Sequence, residues 1–159
     1  MAKTKWKSYE EVAQYLLNQF ADNFRLGRVE GKKIVPGESG TDWVLDAKSV
    51  KANGKGFLIV ECRRYTSSRL KQKDVAGLAF QIEDTGADGG IIVSPLGLQK
   101  GAKKVAEHKN IKQVILAPES TNSNYLLSFL NQTFMGFVET VSASSFLELE
   151  VVRNEKVVD

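Results

Sequence analysis

Two carboxylates and a neighbouring cation carry the chemistry in this sequence. Glu61-Cys62-Arg63 follows the apolar run Phe57-Leu58-Ile59-Val60, and Asp46 closes the earlier run Trp43-Val44-Leu45. Residues 61 and 63 differ by two, so in an extended strand their side chains project to one face. Asn53-Gly54 between the two runs is a hairpin signal, and antiparallel pairing through it brings Asp46 beside Glu61. Converging carboxylates destabilise each other unless a cation neutralises them. Mg²⁺, or Mn²⁺ in its place, suits such a pair, because it takes one or two carboxylates and fills its shell with water and phosphate oxygens. A metal held there lowers the pKa of a bound water and polarises a phosphodiester. Arg63 keeps its proton in any protein setting, so it can position and stabilise but cannot act as a general base.

Competing readings attach to each residue. Asp42 is an alternative to Asp46, which is preferred because it stands at the strand's end. A Glu-x-Arg pair on a strand is also a common surface ion pair. Arg64, Arg69, Lys71 and Lys73, with Tyr65 among them, read either as a solvated loop and helix start or as phosphate contacts that supply affinity without sequence information. Ser94 lacks a Gly-x-Ser-x-Gly elbow, which argues against a serine hydrolase. Strand alternation turns Cys62 away from the Glu61 face and makes it a core thiol. One cysteine and one histidine exclude a four-ligand zinc site and an internal disulfide. His108 near a helix end is explained by the helix dipole.

The elements that must position these residues follow from periodicity. Ser8 with Glu11 forms a capping box, and Val12, Tyr15, Leu16, Phe20 and Phe24 predict an amphipathic helix from Tyr9 to about Asn23. Arg25 to Val35 predicts a short strand or hairpin turning near Gly31. Pro36 to Gly40 is a turn, and Trp43 to Ala47 a strand antiparallel to Phe57–Val60. A second helix spans about Lys73 to Asp84 and stops at Gly86. Ile91 to Ser94 is a buried strand, Leu98 to about His108 a helix with a basic face, and Val114 to Ala117 another strand. Helical crossovers between strands imply a parallel component, hence an α/β domain with a mixed central sheet flanked by helices. Beyond Pro118, Asn124 to Thr133 is expected to be helical, Phe146 to Val152 a strand, and Arg153 to Lys156 a turn toward Val157-Val158.

The chain has 159 residues, 42% hydrophobic and 26% charged, which predicts one domain with one core. The net charge of +3 permits a polyanionic partner without demanding one. No long apolar stretch predicts a membrane span, and a reducing, cytoplasmic setting is expected.

The segment GESGTDWVLDA (residues 37–47), with FLIVECRRY (57–65) and TGADGGIIVS (85–94), resembles the Mrr-like restriction endonuclease family, a branch of the PD-(D/E)XK nuclease superfamily. The resemblance covers about residues 8–118 and leaves about 119–159 as a C-terminal extension of the same domain. It implies a restriction-endonuclease-like α/β fold and metal-dependent hydrolysis of DNA. The metal-binding aspartate falls on Asp46, the dyad acid on Glu61, and the dyad lysine on Arg63, which departs from the pattern. A glutamate of the first helix joins the site in many members; Glu10 is preferred over Glu11, which the capping box already uses. The implied partners are DNA and a second copy of the chain. The alternatives are a junction-resolving or repair nuclease, and a non-catalytic DNA-binding or assembly module that keeps the fold.

Overall fold

A computed structural model describes residues 5–121, 123–137 and 155–158. Its centre is an eight-stranded mixed sheet in the order β1-β4-β5-β6-β7-β8-β9-β10, with β2 and β3 forming a separate two-stranded ribbon. The strands are β1 (Leu26–Glu30), β2 (Lys33–Pro36), β3 (Asp42–Leu45), β4 (Ala47–Lys51), β5 (Phe57–Cys62), β6 (Gly89–Ser94), β7 (Ile111–Leu116), β8 (Tyr125–Phe129), β9 (Gln132–Gly136) and β10 (Glu155–Val158). The helices are α1 (Lys5–Gln19), α2 (Ala21–Phe24), α3 (Gln72–Thr85) and α4 (Lys100–His108).

Strands β5, β6 and β7 are parallel and connected by α3 and α4, as the strand-helix-strand spacing requires. The fully buried pattern of β6 explains its unbroken apolar sequence, since both its faces are covered. Alternation sorts the side chains into two layers. Leu58, Val60, Cys62, Ile91, Val93, Val114 and Leu116 pack with α1 and α2, through Tyr9, Leu16, Leu17, Phe20 and Phe24. Ile59, Ile92 and Ile111 pack with Val75, Leu78 and Ile82 of α3 and with Ala102 and Ala106 of α4. Gly90 permits this second layer to close, because a Cβ there would stand 3.1 Å from Ile82 Cδ1.

Four expectations are corrected. Helix α1 begins at Lys5, so Ser8 lies inside it and cannot cap its start. β1 and β2 are not a hairpin: β1 pairs with β4 while β2 pairs with β3, and the link between them changes sheets. The predicted strand Trp43–Ala47 is two strands broken by a bend at Asp46. Asn124 to Thr133 is not helical but the greater part of a β8–β9 hairpin, in which Tyr125, Leu127 and Phe129 are buried at a period of two. Phe146 to Val152 lies outside the described residues. So does the first half of the predicted turn after it; Glu155 and Lys156 belong to β10. Among the described residues no helix is long and apolar enough to cross a membrane.

Candidate active site

The Gly-Glu-Ser-Gly turn fastens the β2–β3 ribbon to the end of α3. Asp84 accepts the Ser39 backbone N–H at 2.8 Å, the Ser39 hydroxyl at 2.7 Å and the Trp43 indole N–H at 2.7 Å, while Glu38 N–H donates to the Asp84 carbonyl at 2.8 Å. Gly37 is dictated by this clamp, because a Cβ there would overlap the Asp84 carboxylate. Trp43 and Phe80 meet edge to face across the same junction. The ribbon so anchored delivers the chain to the bend at Asp46.

Asp46 sits at the mouth of the β4–β5 ladder. That ladder pairs Ala47 with Val60, so its register, extended by one residue, sets Asp46 level with Glu61 and on the same face. Asp46 Oδ2 accepts the backbone N–H of Cys62 at 2.8 Å, so its carboxylate replaces a main-chain acceptor just before β4 begins. On the other side of β5, Arg63 N–H donates to the Val93 carbonyl at 2.8 Å, holding the segment to β6.

Glu61 is largely enclosed, its side chain 18% exposed, and accepts from Arg63 Nε at 2.7 Å. Burial raises its pKa above the usual carboxylate range; Arg63 opposes the shift, and the negative charges of Asp46 and Glu10 add to it. Glu10 of α1 is raised in the same direction, by burial first and by Asp46 next, with Lys32 opposing. Three acids from α1, the β3–β4 bend and β5 therefore feel one another. Arg63 is the nearest compensating cation: burial works to lower its pKa, but Glu61 and Tyr65 outweigh that and hold it up. Its Nη1 donates to the Tyr65 hydroxyl at 3.3 Å.

Among the described residues no three His, Cys, Asp or Glu side chains form a ready-made metal cage. The donor set nonetheless fits Mg²⁺, which needs only one or two carboxylates and keeps several waters. Asp46 and Glu61 each have one oxygen committed to an internal donor and one left over.

The other sequence candidates are placed differently. Asp42 is exposed at the start of β3, paired with Pro36, and contributes to neither the Glu61 nor the Glu10 shift. Arg64 is engaged by the Pro118 carbonyl, at 3.1 Å from Nη2, and by Glu119 at 3.3 Å, bridging the segments after β5 and β7. Arg69, Lys71 and Lys73 are exposed. Cys62 is buried in the α1 layer, its thiol pushed up by burial and by Asp46, Glu10 and Glu61. Ser94 is buried and accepts the Gly97 N–H at 3.2 Å, a turn role. Sequence reasoning missed Lys48, two residues beyond Asp46 and so on the same strand face, its ammonium 4.4 Å over the Phe57 ring. The signal was present in the Asp-x-Lys spacing. It also missed Asp84, whose role depends on a contact 45 positions away in the chain.

No curated protein matches the chain. Among solved structures, the crystal structure of "Protein of Unknown Function AF1548" is similar, with a TM-score of 0.54 at 15% identity, over 65% of this chain and 56% of that one. The likeness is one of fold, and this chain spans little more than half of that structure's length. The model of the Mrr_cat family, described as restriction endonuclease, matches residues 1–120. With its large mixed sheet, flanking helices and matched motif region, this chain belongs to the Mrr_cat restriction endonuclease family.

Proposed function

We propose that the chain is a divalent-metal-dependent DNA endonuclease in which Asp46 and Glu61 hold the ion and Arg63 stabilises the reacting phosphate. The observation that supports this most is the Asp46 carboxylate on the amide of Cys62, level with Glu61, in a cluster with more acid than nearby base. A bound ion would supply an acidified water and a polarised phosphodiester. The chain's own part is positional. Cys62 N–H orients Asp46, Arg63 Nε orients Glu61, and Glu10 adds a third negative charge at the mouth of the strands. Arg63 offers its remaining guanidinium edge to a phosphate oxygen, where charge develops in the transition state. Arg69, Lys71 and Lys73 are free to meet the DNA backbone, whereas Arg64 already serves the fold. Cutting both strands calls for two copies of the chain.

Incubation of supercoiled plasmid with the protein and Mg²⁺ or Mn²⁺ tests the reading. Nicking is expected, with Asp46→Asn and Glu61→Gln each reducing it at least ~10²-fold and Arg63→Met by about 10²-fold, the scale of losing one electrostatic stabiliser. Arg63→Lys is expected to retain cleavage.

A second reading, a DNA-binding module without catalysis, draws support from Arg63 standing where the family pattern has lysine. Retardation of DNA without nicking, abolished by moderate salt, would favour it and overturn the first.

A further inference from the structure

Helix α1 carries a row of polar side chains at successive turns, Glu10, Gln14 and Asn18, each four residues from the last. Asn18 exchanges hydrogen bonds with Val29: its Oδ1 accepts the backbone N–H and its Nδ2 donates to the carbonyl, both at 2.8 Å. One turn back, Gln14 donates to the same carbonyl at 3.4 Å and stands against Gly31, where a Cβ would lie 3.1 Å from Gln14 Oε1. The chain from Val29 onward therefore runs along this row toward Glu10. From Asn18 to Glu10 the helix rises about 12 Å, and three extended residues beyond Val29 span about 10 Å, which brings Lys32 level with Glu10.

The β2–β3 ribbon leads the same residue to the same place. Lys33 pairs with Leu45 at the ribbon's open end. Lys32 and Asp46 are the next residues of the two strands, and each is a bend. Lys32 is thus set beside Glu10 by α1 and beside Asp46 by the ribbon, and its charge is felt at Glu10. The two consecutive lysines are used differently. Lys33 is paired with Glu30 at 3.2 Å. Lys32 is exposed and forms no ion pair among the described residues, although it borders the cluster of Glu10, Asp46 and Glu61. Arg63 borders that cluster from β5, and Lys32 borders it from the link between β1 and β2.

We propose that Lys32 is a second phosphate-binding cation of the nuclease site, its ammonium holding an oxygen of the scissile phosphodiester on the Glu10–Asp46 side while Arg63 serves the Glu61 side. The inference rests on the nuclease reading and adds a lysine to a site whose dyad carries arginine. Charge supports it. A divalent ion together with Lys32 and Arg63 exceeds the three ionised carboxylates by one positive charge, which one phosphodiester balances. The long flexible stem lets the ammonium follow the phosphate from the exposed rim, where it acts as a point charge.

The test is single-turnover nicking of supercoiled plasmid with Mg²⁺, at protein concentrations that saturate the DNA. It is joined to a Mn²⁺ titration of each protein without DNA, followed by melting temperature. Lys32→Met is expected to lower the saturated nicking rate about 10²-fold or more. Lys32→Arg keeps the charge and should stay within about ten-fold of the parent. Lys33→Met removes the same charge from the adjacent position and should stay within about three-fold. Because Lys32→Met takes a positive charge away from the acids, it should bind Mn²⁺ at least as tightly as the parent. Lys32 is exposed at a bend, so its variants are expected to fold. A parent that does not nick overturns the nuclease reading and this inference with it. With a nicking parent, four results overturn the inference alone. Lys32→Met nicks at the parent's saturated rate, whatever its affinity for DNA; Lys33→Met is equally impaired; Lys32→Arg is as impaired as Lys32→Met; or Lys32→Met holds Mn²⁺ more weakly, which would make Lys32 a support of the carboxylates.

Discussion

Glu61 is held in surroundings that work against its own ionisation. Its folded pKa is raised, by burial above all, so the native state takes up its proton more readily than the unfolded chain, where a glutamate titrates near about 4.3. The stabilising effect of the protonated form is fully present below that unfolded value and is lost as pH rises through the folded one. At neutral pH an ionised Glu61 therefore costs stability. Glu61→Gln should melt higher than the parent at pH 7, by roughly 2–4 °C for each 1 kcal/mol relieved. The gap should close as pH falls toward about 4. Mg²⁺ should raise the melting temperature of the parent and leave the variant unmoved. A variant that melts lower than the parent at pH 7 would show that the Arg63 pairing outweighs the burial cost. Scanning calorimetry in metal-free buffer at several pH values gives the answer.

Among the elements, the Asp84 clamp sets the position of the β2–β3 ribbon and hence of the chain entering Asp46. The Asp84 pKa is lowered by the Trp43 and Ser39 donors, so this stabilisation is present above the unfolded value and lost as pH falls through the folded one. Asp84→Ala is expected to lower the melting temperature and to speed amide exchange at Ser39, measured by exchange-resolved NMR; unchanged exchange would mean the ribbon is held by Trp43 packing alone. These elements also show what the sequence made legible. The parallel β5–α3–β6–α4–β7 succession was readable because β5 and β6 carry continuous buried apolar runs and the elements are punctuated by Gly86 and Pro95. The convergence of Asp46 and Glu61 followed from the Asn53-Gly54 hairpin. The ribbon was not readable, because the bend at Asp46 is a single residue with neither Gly nor Pro beside it, so Trp43 to Ala47 reads as one continuous strand. Residues 125–129 were misread because Tyr-Leu-Leu-Ser-Phe fits a helical spacing as well as an alternating one, and only the partner strand β9 decides. Arg64 was grouped with the DNA-facing cations because its acceptor, Pro118, is 54 positions distant.

Across the whole molecule, the strands beyond the matched motif region share the core of the first helices. Phe134 stacks on Phe20 with ring centroids 4.2 Å apart, and Phe129 meets Phe24 edge to face at 4.6 Å. The Tyr9 hydroxyl donates to the Leu116 carbonyl at 3.0 Å, binding α1 to β7. We therefore propose that the chain unfolds as one unit rather than as a nuclease core with an appendage. Phe134→Ala should destabilise it by about 3–5 kcal/mol, as expected for a large aromatic removed from a packed core. Urea denaturation followed by both far-ultraviolet circular dichroism and tryptophan fluorescence should give coincident transitions. Separate transitions would mean two cooperative units.

The Asp46 carboxylate that caps the β4–β5 ladder has a consequence for observing the protein at work. The same oxygen that secures the Cys62 amide belongs to the group on which an ion would settle, so occupancy and the last rung of strand pairing are mechanically linked. The backbone proton of buried Cys62 would thereby become an internal gauge of whether the proposed ion is bound.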